Sequence, residues 1–177
     1  MIRICGLIMG LLLLASAAAA EDFELQLNRM GGDLYAAPAE GLYIETQYCF
    51  ALADATPARL TFNSAADKLI FPQTEETCEV RMIFGQAEME AGDYLFSVTW
   101  VADNWYRIDE QNAALLTAGC LEMVEGAEAR MTMTEAGEGT LQLPEAGEEC
   151  RVVGAYAQAE LMLEEVAQPA EAEQKSE

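Results

Sequence analysis

The sequence repeats itself once, with a period of 71 residues in its first part and 72 in its second. The matched positions pair Tyr35 with Tyr106, Thr46 with Thr117, Cys49 with Cys120, Arg59 with Arg130, Leu69 with Leu141, Pro72 with Pro144, Glu76 with Glu148 and Cys78 with Cys150. A fixed period of this kind indicates two copies of one structural unit.

The cysteines predict a covalent framework for the two copies. Cys49, Cys78, Cys120 and Cys150 give the even count that is typical of disulfide-bonded exported proteins. Because a duplicated unit keeps its own bridge, the repeat favours Cys49–Cys78 and Cys120–Cys150 over the other connectivities. Redox chemistry prefers a C-x-x-C motif and zinc often uses histidine, and the chain has neither. Structural bridges are therefore the preferred interpretation.

The first twenty residues have the pattern of a secretory signal peptide. Arg3 precedes an apolar run, and a run of alanines offers a small-residue cleavage site near Ala20. The alternative, a retained membrane anchor, is disfavoured because the apolar run is short for a span. We therefore expect a periplasmic or secreted protein with no membrane insertion after cleavage. Its predicted parts are a signal peptide (1–20), a first β-repeat (21–92), a second β-repeat (93–163) and a disordered acidic tail (164–177).

Each copy contains five short segments with the alternation or β-branched and aromatic content of strands. They cover residues 23–27, 42–52, 59–62, 69–71 and 78–84, with counterparts at 94–98, 114–124, 130–133, 141–143 and 150–156. The predicted fold is all-β, with two tandem five-stranded disulfide-stapled β-modules of sandwich or barrel type. The alternative is one ten-stranded pseudo-symmetric barrel or sandwich. In the second segment Leu42 and Ile44 alternate out of step with Cys49, which a β-bulge would explain.

The charge of the chain restricts its partners. Without Arg3, 8 basic residues remain against 31 acidic ones, a net charge of −23. Such a negative field argues against nucleic acid and anionic membranes as ligands. It is consistent with a cationic protein partner, with loose binding of divalent cations, or simply with a well-solvated surface.

The absence of histidine removes most catalytic possibilities. Ser-His-Asp and Cys-His nucleophiles, histidine bases and most catalytic zinc sites all need that residue. A carboxylate pair, as in glycan hydrolases, stays available, but abundant acids make such a pair uninformative. Calcium-binding D-x-D-x-D-G spacing is also missing. We therefore predict that the protein is not an enzyme and has no catalytic residue, metal site or cofactor.

One aromatic stretch suggests a binding surface. Trp100, Trp105, Tyr106 and Arg107 combine the residue types that anchor protein interfaces. The alternative is that Trp105 covers the end of the core, as Leu34 does in the first copy. The sequence thus predicts an exported non-enzymatic β-module that binds a cationic protein or has a structural role in the envelope. The alternatives are a carboxylate-based glycan hydrolase and a weak divalent-cation binder.

Overall fold

A computed structural model describes residues 21–62 and 66–159. The predicted signal peptide and acidic tail lie outside these residues. Within them the chain is all-β, which confirms the predicted fold class. The same residues contain no helix of the length and apolarity that a membrane span requires.

Twelve strands make up the described part of the chain. The first copy supplies β1 (Glu21–Gly31), β2 (Leu34–Ala37), β3 (Leu42–Gln47), β4 (Thr56–Phe62), β5 (Lys68–Phe71) and β6 (Glu76–Ala87). The second copy supplies β7 (Gly92–Ala102), β8 (Trp105–Ile108), β9 (Ala113–Ala118), β10 (Ala127–Met133), β11 (Gly139–Leu143) and β12 (Glu148–Gln158).

Each copy closes into a six-stranded antiparallel barrel. In the first copy the hydrogen-bonded ring runs β1-β2-β3-β6-β5-β4 and returns to β1. In the second it runs β7-β8-β9-β12-β11-β10 and returns to β7. The predicted count of five strands per copy is therefore one too low. The missed strands are β2 and β8, which have four residues each and are buried at most or all positions, so they show no alternation between apolar and polar residues.

The cysteine segments are shorter strands than the sequence indicated. β3 ends at Gln47 and β9 ends at Ala118, so each cysteine lies in the loop that follows. The backbone turns at Tyr48 (φ 52°) and Gly119 (φ 88°). A bulge also occurs, because Glu45 pairs with Met82 while Thr46 pairs with Val80, which leaves Arg81 as the extra residue. The turn at Tyr48 explains why Cys49 is out of step with Ile44, whereas the bulge lies on the facing strand, β6, and not in the cysteine segment.

The barrels are joined by their longest strands. The first half of β6 pairs with β5 and the first half of β12 pairs with β11, whereas their second halves pair with each other. In that pairing Phe84 lies opposite Gln158, and Gly85 lies opposite Ala157. Since Gly85 and Ala157 are equivalent positions of the two copies, a pseudo-twofold axis passes between them.

Three apolar clusters form the core. Two fill the barrels and contain the disulfides. The third lies between the barrels and is built around Leu34, Phe84, Ala102, Trp105 and Ala114. The turn after β1 approaches the second barrel closely, because a Cβ atom on Gly32 would lie 2.8 Å from the carbonyl oxygen of Val101. The two barrels therefore share a packed interface as well as a strand pair.

Candidate functional site

The residues that recur in both copies surround the disulfides. The structure contains Cys49–Cys78 and Cys120–Cys150, the connectivity that the repeat favours. In the first copy the Tyr35 hydroxyl donates to the carbonyl of Ala51 at 2.8 Å, and the Phe50 amide donates to Glu76 Oε1 at 2.8 Å. Two bridges are compatible with an oxidising exported compartment.

The second copy repeats this corner with its own residues. The Tyr106 hydroxyl donates to the carbonyl of Glu122 at 2.8 Å, and the Leu121 amide donates to Glu148 at 3.3 Å. Burial raises the pKa of Tyr35 and of Tyr106 to about 12. In each copy, the matched tyrosine, glutamate and cysteines thus hold the corner loop in the same way.

A glutamate lies beside each disulfide at a distance that would suit a metal site. Oxygen and sulfur atoms of Cys49, Glu76 and Cys78 all lie within 4.8 Å of one another, as do those of the second-copy equivalents. The bonded sulfurs have no thiolate to offer a metal, and the Glu76 carboxylate accepts the loop amide of Phe50. The arrangement acts as a structural corner.

Trp105 is not the exposed anchor that the sequence suggested. Its side chain is 1% exposed and lies in the cluster between the barrels. It stacks on Tyr43 of the first copy with ring centroids 4.5 Å apart, and it contacts Phe84 and Tyr156. Leu34 occupies the equivalent position in the same cluster. Trp105 is therefore a core residue, as the alternative interpretation of the sequence proposed.

The other three predicted partner-binding residues divide between core and surface. Tyr106 is fully buried in the second barrel, where its hydroxyl bonds the corner loop. Trp100 and Arg107 are partly exposed and line a cleft between the barrels. The structure therefore brings only Trp100 and Arg107 together at an accessible site.

The loop after Cys49 exposes large apolar side chains that the sequence analysis did not single out. Tyr48, Phe50 and Leu52 are 84%, 72% and 82% exposed, while the intervening Cys49 and Ala51 are buried. We call Tyr48, Phe50 and Leu52 the first ridge. The sequence gives one sign of these exposed residues, because Cys49 falls out of step with the apolar positions Leu42 and Ile44. Leu121 and Met123 form the equivalent second ridge.

The backbone of the first ridge is held by side chains from several elements. Asp33 accepts the amides of Tyr48 and Cys49 at 3.3 and 3.0 Å. The Arg29 guanidinium donates to the carbonyls of Cys49 and Phe50 at 3.4 and 3.3 Å. Each residue from Tyr48 to Ala51 is thus tied to the barrel, and the ridge is presented on an ordered backbone.

A charged triad lies at the bottom of the cleft between the barrels. Glu45 is 3% exposed, and its Oε1 accepts a hydrogen bond from Nη1 of Arg107 at 3.0 Å and forms an ion pair with Nη1 of Arg81 at 3.2 Å. Arg81 is the bulge residue of β6, so the bulge directs its side chain toward Glu45. The cleft has a volume of about 350 Å³ and is also lined by Tyr48, Thr99 and Trp100. The sequence did not predict this ion pair, because Glu45 and Arg107 are 62 residues apart and no local pattern connects them.

Neither models of protein families nor curated proteins nor solved structures give a match to this chain. Its function must therefore be argued from the ridges and the cleft.

Proposed function

We propose that the protein is an exported, non-enzymatic binding module that docks a cationic partner protein on its first ridge. The predicted signal peptide and the disulfides support export. The observation that carries the binding role is the conformation of Tyr48. This residue is exposed and has a left-handed φ of 52°, where the second copy has Gly119.

A left-handed backbone is unfavourable for tyrosine and costs about 1 kcal/mol or more, whereas glycine adopts it freely. The chain therefore tolerates strain to place an aromatic side chain on the surface. Nothing in the barrel core needs that side chain, since it is 84% exposed. A role in recognition accounts for both its position and its cost.

The rest of the ridge has the properties of a preformed interface. Phe50 and Leu52 are both exposed while Ala51 between them is buried, so their side chains lie on the same, outer side of the loop. Because the backbone is already hydrogen bonded, little conformational entropy is lost on docking. Contiguous exposed apolar residues on an ordered surface mark interaction sites more often than isolated ones do.

The charge of the protein selects the partner. At a net charge of −23 after loss of Arg3, association with cationic proteins is accelerated and association with acidic ones is suppressed. Asp33 and Glu76 hold the ridge loop together with one cation, Arg29, so the groups that hold it have a net negative charge. The fitting partner surface is apolar and rimmed with lysine or arginine.

Defined peptides test this proposal. Fluorescence anisotropy would compare a labelled peptide of alternating Lys and Leu with Lys-Ser and Glu-Leu counterparts. We expect the Lys-Leu peptide to bind at least about tenfold more tightly than either of the others, because it offers both charge and apolar surface. Phe50→Ser with Leu52→Ser should remove this preference, while Leu95→Ser, an exposed apolar residue on β7, should retain it.

Tyr48→Gly separates recognition from folding. Glycine fits the left-handed φ, so we expect the melting temperature to stay the same or rise while peptide affinity falls. The proposal is wrong if the ridge variants bind like Leu95→Ser, or if affinity follows peptide charge alone.

A further inference from the structure

The cleft between the barrels carries a second candidate site, which adjoins the first ridge and shares Tyr48 with it. We propose that Arg81 and Arg107, neither of which belongs to the first ridge, bind a carboxylate group there. The relevant chemistry is that of a single carboxylate on a small or peptidic ligand.

The triad has a net charge of +1 in an otherwise strongly acidic molecule. One carboxylate, Glu45, faces two guanidinium groups, each with a nitrogen atom within 3.2 Å of its Oε1. The other oxygen, Oε2, is buried without a hydrogen-bond donor among the described residues. Since this oxygen only accepts hydrogen bonds, it suits a ligand that places a donor such as an amide N–H beside the carboxylate held by the guanidinium groups.

The pseudo-twofold axis provides an internal comparison. The positions equivalent to Glu45, Arg81 and Arg107 in the other copy are Leu116, Val153 and Ala36. The same interface is thus built with uncharged residues on one side of the axis and with buried charges on the other. Since apolar replacements of buried ion pairs are often neutral or stabilising, joining the barrels does not require the triad.

Both guanidinium groups have N–H donors without a partner among the described residues. Each arginine carries several N–H donors. Arg107 donates one to Glu45, and Arg81 contacts the same oxygen as an ion pair. Within the described residues neither side chain has another hydrogen-bond partner. The Arg81 side chain is 48% exposed and that of Arg107 is 20% exposed, whereas that of Glu45 is only 4% exposed. A molecule entering the cleft therefore meets the guanidinium groups first.

The walls of the cleft favour a monovalent organic acid. The fork of N–H donors on arginine matches a carboxylate in two-point geometry. Trp100, Val101 and Tyr48 offer apolar surface to the body of a ligand. Asp33 also lines the cleft, but its oxygens accept the amides of Tyr48 and Cys49. A doubly charged phosphate would meet more long-range repulsion from the acidic protein than one carboxylate does.

The test uses the full chain, exported into an oxidising compartment and purified. Calorimetric titration would use N-acetylalanine, which has a main-chain carboxylate, and N-acetylglutamate amide, which has a side-chain carboxylate. N-acetylalanine amide and inorganic phosphate are the comparison ligands. We expect saturable binding of at least one acid, and the tighter of the two identifies the source of the carboxylate. The Nε–Hε NMR signals of Arg81 and Arg107 should shift on binding.

The matched variant carries Glu45→Leu, Arg81→Val and Arg107→Ala, the residues from the other side of the axis. It should fold with an unchanged or higher melting temperature and lose acid binding by about tenfold or more. If that variant does not fold, Arg81→Gln provides the comparison, because position 81 is half-exposed. We expect this substitution to weaken acid binding several-fold. The inference fails if the variants bind like the wild type, if the wild type shows no saturable acid binding, or if the amide or phosphate binds as tightly. Peptide binding at the first ridge is measured separately and does not depend on this result.

Discussion

The two buried corner tyrosines predict a loss of stability at alkaline pH. Tyr35 and Tyr106 are fully buried, and burial raises the pKa of each hydroxyl to about 12. The Glu76 and Asp33 carboxylates raise the pKa of Tyr35 further, while Arg29 acts in the opposite direction. Glu148 and Glu122 act on Tyr106 in the same sense as burial.

The sign and size of the effect follow from proton linkage. An unfolded tyrosine has a pKa of about 10. Below that pH the tyrosines are protonated in both the folded and the unfolded state, so their contribution to the free energy of unfolding is fully present. Between pH 10 and 12 the unfolded state releases its protons first, so the free energy of unfolding falls by about 1.4 kcal/mol per pH unit for each tyrosine. Tyr35 and Tyr106 together should remove about 5 kcal/mol by pH 12, comparable with the whole stability of a domain.

Urea unfolding followed by circular dichroism between pH 8 and pH 12 measures this slope. The double variant Tyr35→Phe and Tyr106→Phe should lose about 1 kcal/mol per lost hydrogen bond at pH 8, yet decline about 2.7 kcal/mol less per pH unit above pH 10. Tyr156, whose pKa burial also raises to about 12, keeps part of the slope in this variant. Leu69→Ala, in the same core as Tyr35, is the control that lowers stability without changing the slope. An unchanged slope in the double variant would refute the linkage argument.

Four further predictions concern the disulfides, the interface between the barrels and the charge. Replacing Cys49 and Cys78 by alanine opens a loop whose ends are 29 residues apart and should cost about 3.5 kcal/mol in reversible unfolding. Peptide mapping without reduction should recover Cys49 with Cys78, and a Cys49–Cys120 peptide would contradict the structure. Trp105→Ala should cost about 3–5 kcal/mol and Trp105→Leu clearly less, because leucine already fills the equivalent position of the interface. The melting temperature should rise modestly with sodium chloride through screening of the acidic residues, and a rise with calcium alone at matched ionic strength would instead indicate a metal site.

The sequence predicted well the features that depend on neighbouring residues and that recur in both copies. The spacing of the cysteines, with Tyr35, Glu76 and their second-copy equivalents, led to the disulfide pairing because a copied unit repeats its own contacts. The long strands showed alternation or runs of apolar residues, which made the all-β class visible.

The features that it missed depend on tertiary position. β2 and β8 are short and buried at most positions, so periodicity cannot distinguish them from turns. The aromatic character of Trp105 suggested an exposed anchor, but the pairing of β6 with β12 turns that position into an interface between barrels. The triad was likewise invisible, because its charges come from three strands of two copies.

A comparison across the pseudo-twofold axis separates the shared framework from the residues of the proposed binding sites. Residues that match across the axis, such as Tyr35 and Cys49, are buried and hold the corner loops. Four positions that differ strongly in chemistry gather instead on the lining of one cleft. There the first copy has Tyr48, Glu45 and Arg81 and the second has Arg107, where the equivalent positions hold Gly119, Leu116, Val153 and Ala36. Two of these differences make the fold locally more costly, through a strained φ at Tyr48 and a buried charge at Glu45. Since the equivalent side of the same molecule folds without those features, we attribute them to the recognition proposed above.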